Sequence, residues 1–111
     1  METRLPGRIR KVVQEWAERL RSELGQNLEE IRLYGSWARA EAHRNSDVDL
    51  AVIVRNDDLA TWQLVQHEAA QLSLEHDMVL SVRLLSRHEW EEMCRLQTLY
   101  ARELQEDGVP L

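Results

Sequence analysis

The sequence predicts a small α/β (α+β) domain, with a three-stranded mixed sheet packed by about four helices in two layers. Apolar residues recur at spacings of three and four in the helical stretches and at spacings of two in three short strand-like stretches. The two patterns alternate along the chain as α-β-α-β-α-β-α, an order that places helices against a sheet. Because 111 residues suit one domain, we expect a single domain over residues 1–111.

The helices are predicted from their apolar faces and end signals. Pro6 suits a first helical turn, and Gly25 suits the end of that helix. Ser86 and Glu89 have the spacing of a capping box, which predicts the start of the last helix. The predicted helices cover about residues 6–24, a short stretch after Gly35, 58–75 and 87–105. Three tryptophans fall on the predicted core faces of these helices: Trp16, Trp62 and Trp90.

The strands are predicted from two-residue periodicity. They cover about residues 28–34, 47–54 and 78–85. In the second strand, apolar side chains at every other position from Val48 to Val54 share one face. Asp49 therefore lies on the opposite face, where a polar group needs a reason.

Composition restricts the function classes. The chain has 14 basic and 20 acidic residues and a formal net charge of −6, so it repels nucleic-acid phosphates, and we do not expect nucleic-acid binding. No apolar run approaches the roughly 18 residues of a membrane helix. The single cysteine, Cys94, excludes an internal disulfide and a cysteine-based zinc cluster. We therefore expect a cytoplasmic protein.

Two carboxylates, Asp47 and Asp49, mark the start of the second strand. Side chains two apart on a strand point to the same face, so the two groups can converge on one point. Like charges held together repel unless a cation lies between them, and such hard oxygen ligands suit magnesium. Asp-x-Asp alone is a weak signal, and an ordinary pair at a strand start is the alternative.

A glycine-serine turn, Gly35-Ser36, follows the first strand. Glycine lets the backbone turn sharply and approach a ligand closely, and the start of the following short helix offers free amide groups to a phosphate. The Ser36 hydroxyl could bind phosphate or simply cap the short helix. Ten residues separate Ser36 from Asp47, enough for the second strand to return beside the first. A phosphate cradle beside paired carboxylates suits a nucleoside triphosphate.

The stretch Gly35 to Leu50, GSWARAEAHRNSDVDL, resembles the signature of the DNA-polymerase-β-like nucleotidyltransferase superfamily, and in particular the minimal nucleotidyltransferases (MNT). The resemblance covers most of the chain, but only this segment is specific. It implies the nucleotidyltransferase fold, two-metal magnesium chemistry and a nucleoside triphosphate substrate. It also implies a partner, because MNT proteins often act as antitoxins of HEPN-domain ribonucleases and can transfer AMP to a toxin tyrosine.

Carried over by position, the resemblance assigns nucleotide binding to Gly35, Ser36 and Arg39. It assigns magnesium binding and catalysis to Asp47 and Asp49. Arg39 could contact phosphate or pair with a carboxylate such as Glu41 or Asp47. Ala40 stands where the family usually has glycine, a small departure.

A second departure concerns the third strand, where the family typically carries a third carboxylate that completes the two-metal site. The polar positions on one face here are Ser81 and Arg83. Asp77 precedes Ser81 by four residues, about 13 Å along an extended strand, which is too far to substitute. Arg83 could contact phosphate, balance the acidic pair or lie on the surface.

Two functions remain open from the sequence. The first is an enzyme that binds Mg-ATP or another nucleoside triphosphate and transfers AMP to a protein hydroxyl on a HEPN-type toxin. The second is a weak or inactive nucleotidyltransferase-fold module that neutralises its partner by complex formation. Self-association is compatible with either function.

Overall fold

A computed structural model describes residues 5–39 and 47–111. The helices are α1 (Gly7–Leu24), α2 (Gly35–Ala38), α3 (Leu59–His76), α4 (Arg87–Arg95) and α5 (Leu99–Asp107), and a 3-10 turn covers Gly25–Asn27. The strands are β1 (Leu28–Tyr34), β2 (Val48–Val54), β3 (Leu80–Ser86) and β4 (Val109–Pro110). Within the two described ranges, no helix has the length and apolar character needed to cross a membrane.

The strands form one mixed sheet in the order β3-β2-β1-β4. Strand β2 runs antiparallel to β1 and parallel to β3. The predicted α/β class and mixed sheet are confirmed. The register pairs Tyr34 at the end of β1 with Asp49 near the start of β2, and Asp49 in turn with Ser81 on β3. The β1–α2 bend and the acidic strand start therefore lie at the same edge of the sheet.

Helices cover both faces of the sheet, so the expectation of two layers is wrong. Helices α1 and α3 pack on the face that carries Leu33, Leu50 and Val52. Helices α4 and α5 contribute to a second apolar cluster, which includes Ala51 and Ile53 on the opposite face of β2. Both faces of β2 are buried, which explains its nearly continuous apolar sequence after Asp49.

Residues 5–39 and 47–111 contain five α-helices where we expected about four, because the predicted last helix is broken in two. Helix α4 ends at Arg95, and Gln97 adopts a positive φ of 54°. Thr98 then caps a new helix, since its hydroxyl accepts a hydrogen bond from the Ala101 N–H at 3.1 Å. The Ser86 cap of α4 is observed as predicted, because its hydroxyl accepts from the Glu89 N–H at 3.0 Å.

In the part of the chain that the structure describes, the sheet has four strands where we expected three. The two-residue strand β4 pairs antiparallel with β1, matching Val109 with Leu33 and Pro110 with Arg32. Proline is tolerated there because β4 is an edge strand, where a residue can lack a backbone N–H without breaking a hydrogen bond to a second neighbouring strand.

The three tryptophans predicted to lie in the core differ in burial. Trp16 and Trp90 are buried, as predicted, whereas Trp62 is 50% exposed, so its assignment to the core is wrong.

The Thr98 cap should contribute measurably to stability. We expect Thr98→Ala to lower the free energy of unfolding by about 1 kcal/mol, because an N–H at the start of α5 loses its acceptor. Urea unfolding followed by circular dichroism measures this change. The matched control is Thr98→Ser, which keeps the hydroxyl and should lose much less. Equal losses in the two variants would show that the hydroxyl is not the stabilising group.

Candidate functional site

The tightest contact of the site joins the β1–α2 bend to the acidic strand. Gly35 has a φ of +75°, a conformation that side chains rarely adopt. A Cβ placed on Gly35 would overlap the Asp49 carboxyl group and lie 3.1 Å from its Cγ. Both the backbone conformation and the close approach therefore require glycine. The structure brings Gly35 and Asp49 together, as the sequence predicts.

The two predicted carboxylates are close enough to repel each other. Burial raises the pKa of Asp49, and the nearby charges of Asp47 and Glu103 raise it further, whereas Arg39 lowers it. Asp49 is partly buried, and Asp47 is exposed at the mouth of the site. The arrangement concentrates negative charge at one edge of the sheet, where a cation would be favourable.

Ser36 lies in the four-residue helix α2, directly after Gly35. The helix starts at Gly35, its N-cap residue is Tyr34, and no side chain caps it. The simple capping role considered for Ser36 is therefore not observed, and its role in phosphate binding stays a prediction. The interpretations of Ala40 and Glu41 fall on residues 40–46, outside the described residues.

Arg39 forms ion pairs with two acidic side chains of α5. Its Nη1 lies 3.2 Å from a carboxylate oxygen of Glu103 and 3.7 Å from one of Asp107. Pairing with a carboxylate was one of the two roles considered, but the sequence pointed to Glu41 or Asp47 rather than to α5. The Arg39 guanidinium also lowers the pKa of Asp49, so its charge acts on that carboxyl group.

Glu103 is the residue near the site that sequence reasoning missed. Tyr100, Glu103 and Asp107 recur at spacings of three and four, which places them along one side of α5. That spacing was visible in the sequence. It could not be interpreted, because the break at Gln97 changes the direction of the helix and the sequence did not indicate which sheet face α5 covers.

Strand β3 brings a cation rather than an acid beside the acidic strand. Every residue of β3 is described, and none is acidic. Ser81 pairs with Asp49, and Arg83 pairs with Ala51. The Arg83 guanidinium stacks over the Tyr100 ring, 4.1 Å from its centroid, a favourable cation–π arrangement. Asp77 caps the end of α3 and lies outside β3, so it does not supply the missing carboxylate.

The donor set fits magnesium only as a partial site. Within residues 5–39 and 47–111, no three histidine, cysteine or acidic side chains are grouped to hold a metal. Asp47 and Asp49 supply hard oxygen ligands, and Mg²⁺ commonly uses one or two carboxylates with water and substrate phosphates. The two aspartates therefore suit a magnesium ion that arrives with a nucleotide.

Replacing Gly35 should damage both the fold and the site. We expect Gly35→Ala to lower the free energy of unfolding by about 1–2 kcal/mol, because it combines positive-φ strain with the clash against Asp49. Urea unfolding measures the loss. Gly7→Ala is the control, since a Cβ at Gly7 meets nothing within 4 Å, and it should be neutral or stabilising. A Gly35→Ala variant as stable as the parent would contradict the geometry described here.

Asp49 should lower stability at neutral pH. Because the fold raises its pKa, the ionised carboxylate is less favourable in the folded chain than in the unfolded chain. This cost is present above the folded pKa and disappears as the pH falls through that value to the ordinary aspartate pKa of about 4.

We therefore expect Asp49→Asn to raise the melting temperature at pH 7 and to lose that gain towards pH 3. Thermal unfolding across this range measures the difference from the parent chain. The control is Asp57→Asn, which changes an exposed aspartate before α3. A gain that is constant with pH would rule out relief of the Asp49 charge as its cause.

Comparison with curated proteins finds one relative of known activity. The chain is 41% identical over 54 residues to the protein adenylyltransferase MntA of Shewanella oneidensis. The aligned segment is 47% of this chain and 39% of MntA. The chain therefore matches well under half of the length of that relative.

Solved structures show the same fold. A toxin-antitoxin crystal structure with AMP-PNP aligns with a TM-score of 0.56 and 23% identity over 87% of this chain and 70% of that one. A tri-AMPylated Shewanella oneidensis HEPN toxin in complex with its MNT antitoxin aligns with a TM-score of 0.50 and 19% identity, over 91% of this chain and 69% of that one. At these identities the likeness establishes the fold alone.

The family assignment comes from the sequence model of the family described as Polymerase beta, Nucleotidyltransferase, which matches residues 17–103. The matched segment contains the Gly35–Asp49 contact, Arg39, strand β3 and most of α5. It therefore includes every element that forms the site, and the chain belongs to the polymerase-β nucleotidyltransferase family.

Proposed function

We propose that this chain binds a nucleoside triphosphate together with magnesium and transfers AMP from ATP to a protein hydroxyl. We further propose that the acceptor lies on a HEPN-type toxin, which the chain thereby neutralises as an antitoxin. The observation that carries the proposal is the contact between Gly35 and the Asp49 carboxylate. The Gly35 bend, proposed to bind phosphate, lies directly against Asp49, proposed to bind the cation, and a magnesium nucleotide requires both groups side by side.

The relatives support the choice of reaction and partner. MntA is a protein adenylyltransferase, and the solved structures similar to this chain include a toxin-antitoxin with AMP-PNP and an MNT antitoxin in complex with a tri-AMPylated HEPN toxin. Because the chain matches only 39% of MntA, the carry-over of activity and partner is a proposal.

The proposed roles follow from position. The Gly35 bend and the Ser36 hydroxyl hold the triphosphate, and Arg39 adds positive charge to its oxygens. Asp47 and Asp49 hold the magnesium, which when bound neutralises charge that develops on the phosphates. The acceptor oxygen attacks the α-phosphorus, the bond to the bridging oxygen breaks and pyrophosphate leaves. The acceptor proton passes to water or to a base of the partner.

A second candidate function rests on β3. The position paired with Asp49 is Ser81, and the next position on that face is Arg83, so the strand supplies no general base. A chain that binds nucleotide without turnover would act as a binding module, neutralising its partner by complex formation. Its net charge of −6 suits a basic ribonuclease surface.

Labelled ATP separates the two functions. We expect the chain, incubated with α-labelled ATP, magnesium and the product of the adjacent gene, to place labelled AMP on that protein. Asp47→Asn should reduce the label to background, because the magnesium nucleotide loses a carboxylate ligand. Gel autoradiography and intact-protein mass spectrometry measure the adduct, and toxicity in cells measures neutralisation.

The control is Asp57→Asn, which keeps the formal charge change but lies away from the bend, and it should transfer AMP normally. Neutralisation that persists in Asp47→Asn, with no adduct from the parent chain, would favour the binding module. An adduct formed equally well by Asp47→Asn would exclude the proposed roles of the acidic pair.

A further inference from the structure

Helix α5 touches the nucleotide-binding bend at two points. Tyr100 packs edge-to-face against Tyr34, the residue before Gly35, with ring centroids 5.4 Å apart. One turn and two turns further along α5, Glu103 and Asp107 pair with Arg39, the residue that ends α2. We call Arg39, Glu103 and Asp107 the α2–α5 cluster.

The α2–α5 cluster is electrostatically part of the site. Arg39 lowers the pKa of Asp49, and Glu103 raises it, so both charges act on the proposed magnesium ligand. The three side chains of the cluster remain between 34% and 41% exposed. An anion that enters beside the bend can therefore reach the Arg39 guanidinium without unfolding α5.

A bound phosphate would compete with Glu103 and Asp107 for the Arg39 guanidinium. The ion pairs with Glu103 and Asp107 use the same guanidinium nitrogen, Nη1 of Arg39. Phosphate oxygens bind arginine by the same charge-assisted hydrogen bonds as carboxylates. A triphosphate placed against Gly35 therefore meets an arginine that already has two acidic neighbours from α5.

We propose that Glu103 and Asp107 hold Arg39 on α5 in the nucleotide-free chain and that the triphosphate displaces them when it binds. The carboxylates act as positioning residues that set nucleotide affinity and couple α5 to occupancy of the site. The inference rests on the proposed function, since it takes a nucleoside triphosphate as the ligand.

The sign of the effect follows from the charges. Removing the two carboxylates takes away two groups that compete with phosphate for Arg39, so affinity should increase by about two- to fivefold, the ratio that corresponds to a partly exposed ion pair. Removing negative charge near an anion would also increase affinity without any role for Arg39. A double-mutant cycle separates the two causes, because only the displacement requires Arg39.

The experiment measures the dissociation constant of Mg-AMP-PNP by calorimetry for four chains. They are the parent, Glu103→Gln/Asp107→Asn, Arg39→Gln and the variant with all three changes. We expect the carboxamide pair to tighten binding two- to fivefold when Arg39 is present and to leave it unchanged in the Arg39→Gln background. Glu68→Gln is the control, since its ion pair with Arg19 joins α3 to α1, and its affinity should equal that of the parent.

The outcomes are distinct. Equal tightening with and without Arg39 would overturn the displacement and leave charge repulsion as the cause. Weaker binding by the carboxamide pair would also overturn it, because the carboxylates would then align Arg39 for the ligand. No binding of Mg-AMP-PNP by the parent chain would instead contradict the proposed function, on which the inference rests.

Discussion

The site depends on one close approach, the Asp49 carboxylate lying directly against the backbone of Gly35. Any side chain at position 35 would separate the bend from the acidic strand. The antiparallel register sets the approach, because Tyr34 pairs with Asp49 and leaves the next residue to turn over it. The sheet on either side is buried by helices on both faces.

The position of Asp49 beside Gly35 is electrostatically unfavourable for its ionised carboxylate. Asp49 is partly desolvated and lies near Asp47 and Glu103, all of which raise its pKa. A fold selected only for stability would have no reason to keep a carboxylate there, since an uncharged polar group would avoid the repulsion. Arg39 relieves part of it and is itself held by α5. The unfavourable charge is a reason to regard the acidic pair as a cation site rather than as an ordinary strand start.

The sequence was most informative where one residue type has one physical explanation. Gly35, which follows a strand, predicted the bend. Asp49, which lies opposite the apolar face of its strand, predicted the charged edge, and the structure places the two residues in contact. It was least informative where the direction of a helix decided the outcome. Gln97 and Thr98 break the predicted last helix, and Glu103 lies on the second of the two helices that result. Trp62 fitted a core spacing, yet α3 has apolar residues on both sides, so periodicity alone could not show which side is buried.

For the proposed AMP transfer, the lack of an acidic residue on β3 should affect the rate more than the type of reaction. A general base typically contributes about 10²–10⁴ to a rate, whereas phosphoryl transfer depends mainly on positioning and on stabilisation of charge. Positioning and charge stabilisation would come from Asp47, Asp49 and the Gly35 bend. Asp49 and Gly35 lie directly against each other. Arg83, stacked on Tyr100, adds a cation on the strand where the resemblance led us to expect a third carboxylate. Under the proposed function, these groups would hold and polarise the nucleotide, and the acceptor protein or water would take up the proton.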